Sequence, residues 1–190
     1  MTPAEFEPAG EWATELADLK LRRHLAAQMG GPEAVAKYKA RGRQTARERI
    51  AGLLDEGSFR ELGRITGKGH YDAMGQLQAL QAVNAIIGTG RVEGRKIVVS
   101  ADDYTIRAGS SEGTISDKWI YAERLALGQH LPIVRLVDTA GGSVKLLAQS
   151  AASKIPGYSN WPGVELLKTV PVVGVALGAC AGLGAVKVLM

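Results

Sequence analysis

The chain has very little cysteine: Cys180 is the only one in 190 residues. A single thiol makes no internal disulfide and no C-x-x-C pair, which excludes zinc ribbons and dithiol redox chemistry. Aromatic residues make up 5%, too few for a platform that stacks single-stranded nucleic acid. The three histidines, His24, His70 and His130, are scattered and lack metal-ligand spacing. They read as surface or structural residues, and no metal is expected. The N-terminus has no charged-then-apolar leader pattern and opens instead with Glu5, Glu7, Glu11 and Glu15. The expected location is the cytoplasm. What is present is ordinary globular material, 46% hydrophobic and 22% charged. A chain of this size buries roughly 70% of its unfolded surface, enough for a core without covalent staples.

Charge is unevenly spread around a net +4. Residues 1–18 hold five acids and no base, whereas Lys37, Lys39, Arg41, Arg43, Arg47 and Arg49 face only Glu48 between 37 and 49. That run is compatible with a phosphate-rich ligand, but reads first as a solvated, partly helical face. The 18 uncharged residues between Lys168 and Lys187 reach the length of a membrane span. Their content argues against one. Pro171 opens the run, four valines crowd its first half, and Gly174, Gly178, Gly182 and Gly184 punctuate it. A buried strand, a glycine turn and a helix start are expected there.

Along the chain, Trp12, Leu16, Leu19 and Leu25 predict a helix over 11–29, ended by Gly30-Gly31-Pro32, and a shorter helix is expected over 33–39. Thr45 followed by Glu48 has capping-box spacing, with Ile50, Leu53 and Leu54 as the apolar face and Asp55-Glu56-Gly57 as the closing turn. Val83 to Val92 and Lys96 to Ala101 read as strands joined at Glu93-Gly94. Gly109-Ser110-Ser111 marks a loop. Ile115, Trp119, Ala122 and Leu125 predict a helix stopped by Gly128, and Pro132 to Val137 a buried strand. A helix is expected over Ser143 to Ala152, a loop from Pro156 to Gly163, and a short helix from Val164.

L-P-I-V-R-L-V-D-T-A-G-G at 131–142 echoes V-P-V-V-G-V-A-L-G-A-C-A-G at 170–182, with the prolines 39 residues apart. Each copy is a buried strand that ends in a glycine turn leading toward a helix. If the strands are parallel neighbours, both turns lie at one end of the sheet. Glycine lets a ligand approach the backbone, and N–H groups at such turns are free to donate. Two turns side by side can place two donors on one oxygen, which stabilises a carbonyl becoming an enolate. Neither turn matches a dinucleotide fingerprint or a P-loop.

Several motifs resemble those of the carboxyltransferase (β) subunits of biotin-dependent acyl-CoA carboxylases, of the propionyl-CoA and acetyl-CoA carboxylase type. They are T-A-R-E-R-I-A-G-L-L-D-E-G-S-F at 45–59, G-R-V-E-G-R-K-I-V-V-S-A-D-D-Y-T at 90–105, A-G-S-S at 108–111, D-T-A-G-G at 138–142 and G-A-C-A-G-L-G-A-V at 178–186. The resemblance runs from about Arg41 to the end. It implies an α/β crotonase-like spiral of ββα units, preceded by N-terminal helices. It also implies transfer of a carboxyl group from carboxybiotin to the α-carbon of an acyl-CoA. The enolate oxygen would be held by backbone N–H groups: Gly182 and Leu183 on one turn, Gly141 or Gly142 on the other. Gly109, Ser110, Lys118 and Gly184 are the expected acyl-CoA contacts. Lys118 would reach a CoA phosphate, although a helix-surface lysine is the plainer reading.

The chain departs from the family where Leu183 separates two glycines, and where D-T-A-G-G-S stands in place of the common D-S-G-G-A-R. It is also less than half as long as family members. The expected organisation is an N-terminal helical segment, 1–44, and an acyl-CoA-binding half-domain, 45–190, truncated within a helix. Biotin would be carried by a partner biotin carboxylase or carrier subunit, and the full-length form would be a homo-oligomer. Nucleic acid and membrane are not expected partners. Two alternatives stay open: a truncated non-catalytic remnant or assembly piece, and a component of a related acyl-CoA decarboxylase. A truncated half-domain should expose a broken sheet edge.

Overall fold

The computed structural model describes residues 10–110, 116–142 and 160–190. The helix expected over 143–152, residues 156–159 of the loop expected from Pro156 to Gly163, Ser111 and Ile115 lie outside them.

The N-terminal helices form as their punctuation dictates. Helix α1 (Ala13–Ala27) stops before the glycine pair, and Gly31, at φ +92°, turns the chain so that Pro32 opens α2 (Pro32–Lys39). Thr45 caps α3 (Ala46–Leu53) with both halves of the capping box. Its hydroxyl accepts from the Glu48 N–H at 3.3 Å, and Glu48 accepts from the Thr45 N–H at 2.8 Å. Such a cap contributes about 1 kcal/mol.

Three strands follow that the sequence reading passes over: β1 (Arg60–Leu62), β2 (Gly67–Tyr71) and β3 (Leu77–Ala82). β2 and β3 form their own two-stranded sheet. The expected hairpin is β4 (Ala85–Val92) and β5 (Arg95–Asp102). Glu93 and Gly94 both take positive φ, as a two-residue hairpin turn requires. The Asp55 carboxylate accepts both turn N–H groups, at 2.9 and 2.8 Å. The residue read as closing α3 therefore also fixes the hairpin.

After α4 (Ser116–Gln129) come β6 (Ile133–Thr139), α5 (Gly163–Thr169), β7 (Val172–Cys180) and α6 (Leu183–Leu189). α4 runs one residue past the expected stop at Gly128, and the reversal comes at His130, in the left-handed region at φ +51°. The main sheet has the order β1-β4-β5-β6-β7, antiparallel through β5 and parallel from β5 to β7.

Side chains alternate across this sheet. Ile86, Ile97 and Val99 pack with Ala46, Ile50 and Leu54 of the α3 side, while Ile87, Val98 and Ile133 pack with Ala122, Ala126 and Leu166 of α4 and α5. Val98 and Val99 are both fully buried, which places β5 in the middle of three layers. β7 is an edge strand whose only partner among the described residues is β6. Val173 on β7 and Val186 and Leu189 on α6 are exposed. No helix among the described residues is long and apolar enough to cross a membrane.

The basic run is the solvated face expected at Lys37, Lys39, Arg41 and Arg43, which are exposed, but not at Arg47 and Arg49. Arg47 makes a two-pronged pair with Glu61, and Arg49 reaches the fully buried Asp138 at 2.9 Å. Tyr38 also donates to Asp138, so α2 and α3 are tied to the end of β6. Lys118 is likewise no surface lysine: it is 8% exposed.

Candidate functional site

The two glycine turns meet. β6 and β7 run parallel in register from Ile133 beside Val172 to Thr139 beside Cys180, with one irregularity after Val137. Beyond the strands, the Ala181 N–H still donates to the Thr139 carbonyl at 3.1 Å. A β-carbon built on Gly182 would stand 3.8 Å from the Gly141 Cα, and one on Gly141 would stand 3.0 Å from the Ala181 carbonyl oxygen. Gly141 and Gly182 take φ of +83° and +56°, so glycine is required there on conformational grounds as well.

The two turns differ in which N–H groups they leave available. The Gly141 N–H donates to the Thr139 hydroxyl at 3.1 Å, and Gly141 is buried. The neighbouring Gly142 is exposed, and its N–H has no partner among the described residues. On the other turn, α6 begins with Gly184 N–H donating to the Ala181 carbonyl and Ala185 N–H to the Gly182 carbonyl. The N–H groups of Gly182 and Leu183 come before that ladder and have no partner among the described residues. Three donors are thus grouped at one end of the sheet: Gly142, Gly182 and Leu183.

A third segment completes this corner. Arg107, Ala108 and Gly109 all sit in the left-handed region, with φ of +49°, +54° and +66°. For the two non-glycine residues this costs roughly 1–2 kcal/mol each. The strain is held by contacts to β6: the Ala140 N–H donates to the Ala108 carbonyl at 2.9 Å, and the Thr139 hydroxyl to the Gly109 carbonyl at 2.6 Å. A β-carbon at Gly109 would come within 2.4 Å of the Asp138 carbonyl oxygen. Gly109 is therefore buried packing, and Ser110 follows it, also buried, with its carbonyl accepting from the Asn84 side chain at 2.7 Å. Gly184 is buried too; its missing β-carbon would lie 2.4 Å from the Thr139 methyl, so it lets α6 close on β6.

Beneath the turns lies a small cavity of about 20 Å³, room for one water, walled by Gly109, Trp119, Thr139, Gly141, Leu183 and Lys187. Lys187 is buried, pairs with Asp102 at 2.9 Å and lies 5.1 Å from the Trp119 ring centroid. A second buried pair joins Arg135 to Glu123 at 2.9 Å, and Trp161 donates to Glu123. Asp138 faces away from the turns, toward Arg49 and Tyr38, and takes no part in capping them. Asp103 orders its own loop by accepting from the Thr105 N–H and hydroxyl. Cys180 is half-buried, and burial pushes its thiol pKa up, away from nucleophile chemistry. No group of three His, Cys, Asp or Glu residues among those described could hold a metal ion.

Of the expected contacts, Gly109, Gly141, Gly142, Gly182, Leu183 and Gly184 converge on this corner. Lys118 lines a different cavity, with Arg47, Glu61 and Asp103. The sequence reading missed Thr139, Asp102 and Lys187. Lys187 had one signal: it is the first charge after an 18-residue uncharged run, at a helical spacing of four from Leu183.

Known proteins resemble this chain in sequence and in fold. The propionyl-CoA carboxylase beta chain of Saccharopolyspora erythraea is 32% identical over 187 residues, covering 95% of this chain and 33% of that one. The methylmalonyl-CoA decarboxylase subunit alpha of Veillonella parvula is 31% identical over 155 residues, covering 80% of this chain and 30% of that one. The chain thus spans about a third of the length of these relatives. Among solved structures, the transcarboxylase 12S hexamer with methylmalonyl-coenzyme A and methylmalonic acid bound superposes with a TM-score of 0.74. It is 27% identical and covers 95% of this chain and 35% of that one. The crotonase-like α/β fold expected from the motifs is the fold of these neighbours. The profile of the carboxyl transferase domain matches residues 37–190. By that match and its architecture, the chain belongs to the carboxyl transferase domain family.

Proposed function

We propose that this chain forms the acyl-CoA side of a carboxyltransferase, in which the thioester carbonyl oxygen sits among the N–H groups of Gly142, Gly182 and Leu183. The observation that carries this reading is the meeting of the two glycine turns, with three donors that have no partner among the described residues. As the α-carbon loses its proton, negative charge moves to the carbonyl oxygen. Backbone donors fixed by β6, β7 and the 107–109 loop need no reorganisation to receive it. Removing one donor from such a hole costs about 10²–10³ in rate. Carboxybiotin, presented by a partner chain, supplies the carboxyl group, and no residue of this chain is assigned to it. The enolate α-carbon then bonds to that carboxyl carbon, whose bond to the biotin nitrogen would break, and the freed nitrogen would take up the proton lost from the α-carbon. A homo-oligomeric full-length form and a biotin carboxylase or carrier partner belong to the same proposal, as does the division into a helical segment, 1–44, and a half-domain, 45–190.

The similarity to a methylmalonyl-CoA decarboxylase subunit supports a second direction of the same chemistry. Loss of carbon dioxide from a malonyl-type thioester leaves the same enolate for the same donors.

The test is calorimetric titration with propionyl-CoA and acetyl-CoA, with free CoA as the control. Binding that requires the acyl group is the expected result. A folded sample that binds neither thioester, or binds free CoA equally well, overturns the proposal of a formed carbonyl site.

A further inference from the structure

A groove lies at the hairpin end of β4 and β5, the end opposite the glycine turns. Its walls are Ser58, Arg60, Thr89, Gly90, Arg91 and Lys96, and the space free to a water-sized sphere is about 330 Å³, far more than a single water needs. The strand register brings three cations together here. Arg60 of β1 stands opposite Thr89 of β4, and Arg91 of β4 stands opposite Lys96 of β5. Opposed residues share a face, as do residues two apart on one strand. These four side chains therefore continue the face that packs Ile87 and Val98 against α4 and α5. Beyond that apolar stretch the three cations are exposed.

The arrangement is unfavourable as it stands. Like charges directly opposite on neighbouring strands destabilise a sheet. No carboxylate lines the groove, and none of the three cations makes an ion pair among the described residues. Asp55, at the same hairpin, commits its carboxylate to the Glu93 and Gly94 N–H groups. Both guanidinium groups are held by backbone carbonyls. Arg60 donates to Gly57 and Phe59 at 2.8 and 3.1 Å, and Arg91 to Gly94 at 2.6 Å, each through one terminal nitrogen. The Ser58 hydroxyl accepts the Arg91 N–H at 3.0 Å and keeps its own proton to donate.

We propose that this groove binds a diphosphate group, free or esterified to a nucleoside, between Arg60, Arg91 and Lys96. Positioned guanidinium forks suit phosphate oxygens. One phosphate monoester carries about −1.5 to −2 near neutral pH, so a diphosphate matches three cations better. No aromatic side chain lines the groove, so recognition falls on the phosphates. The inference stands apart from the function proposed for the glycine turns. Lys96 lies six residues before Asp102 on β5, about 20 Å along the strand, and α4 covers this face of the sheet between them.

The experiment is calorimetric titration with inorganic pyrophosphate in magnesium-free buffer, with orthophosphate and ADP as parallel arms. Saturable one-to-one binding of pyrophosphate is expected, about tenfold tighter than orthophosphate and weakened by salt. ADP that binds as tightly as pyrophosphate identifies a diphosphate ester as the source, and ADP that binds more weakly identifies free pyrophosphate. Arg91→Gln and Lys96→Gln should each weaken pyrophosphate binding about tenfold. Lys37→Gln, which removes the same charge from an exposed position on α2, should leave it near the wild-type value. Without ligand, Lys96→Gln should unfold at a urea midpoint no lower than wild type, because it removes a like-charge opposition. No saturable binding of pyrophosphate, orthophosphate binding as tightly, or equal losses in all three variants would each overturn the proposal. So would a lower midpoint for ligand-free Lys96→Gln, or displacement of pyrophosphate by propionyl-CoA.

Discussion

Replacing Thr139 by valine tests how the glycine corner is built. The Thr139 hydroxyl donates to the Gly109 carbonyl at 2.6 Å and accepts the Gly141 N–H at 3.1 Å. It sits 6% exposed. Valine keeps the shape and strands both backbone groups away from water. Each stranded buried group costs about 1–3 kcal/mol, so Thr139→Val should destabilise by about 2–4 kcal/mol after partial relaxation. Serine keeps the hydroxyl and loses the methyl that packs against Gly184, at about 1 kcal/mol. The order wild type, Ser, Val should appear as urea midpoints at unchanged m-value. The same order should hold for propionyl-CoA affinity, because the hydroxyl sets where Gly141 ends and Gly142 begins. A valine variant within about 0.5 kcal/mol of wild type, or a serine variant less stable than valine, would refute the reasoning.

Other perturbations have equally definite outcomes. Glu123→Leu leaves Arg135 buried and unpaired, and urea unfolding should show a loss of about 3–5 kcal/mol, much of it recovered when Arg135→Met is added. Gly184→Ala drives a β-carbon to 2.4 Å from the Thr139 methyl, which should cost about 1–3 kcal/mol in the same assay. The Lys118 ammonium is lowered from 10.5 to about 8 by burial. The folded state therefore binds fewer protons than the unfolded one between these values, and stability rises with pH across that window and is flat below it. Lys118→Met should abolish this rise and leave the protein at least as stable at pH 7, read from denaturant midpoints between pH 7 and 10.5.

Much of the corner was legible in the sequence because its determinants are local. The Thr45 and Glu48 capping box, the Glu93-Gly94 turn and the two proline-led valine strands depend on neighbours within a few residues, and each forms where expected, although the second strand, expected buried, is an edge strand with no fully buried residue. The repeated strand-and-glycine pattern placed both turns at one end of the sheet, because parallel neighbours in register must end together. The strands β1 to β3 were not legible: β2, G-K-G-H-Y, has no alternation, and its pairing with β3 supplies the order. Nor was the fate of the charges. Arg49 and Tyr38 lie 89 and 100 residues from the Asp138 they bind, and nothing in a local pattern reports such a partner. The choice of Gly142 over Gly141 depends on one hydroxyl, Thr139, whose role needs the 107–109 loop folded beside it.

The central claim is that three backbone N–H groups hold the thioester oxygen, and amide chemical shifts test it most directly. In ¹⁵N-labelled protein titrated with propionyl-CoA, the Gly142, Gly182 and Leu183 amide protons should move downfield as they gain an acceptor, while the Gly141 amide, already bonded to Thr139, moves little. Free CoA should leave all four in place. Saturable binding that moves Gly141 but leaves Gly142, Gly182 and Leu183 unchanged would contradict the account.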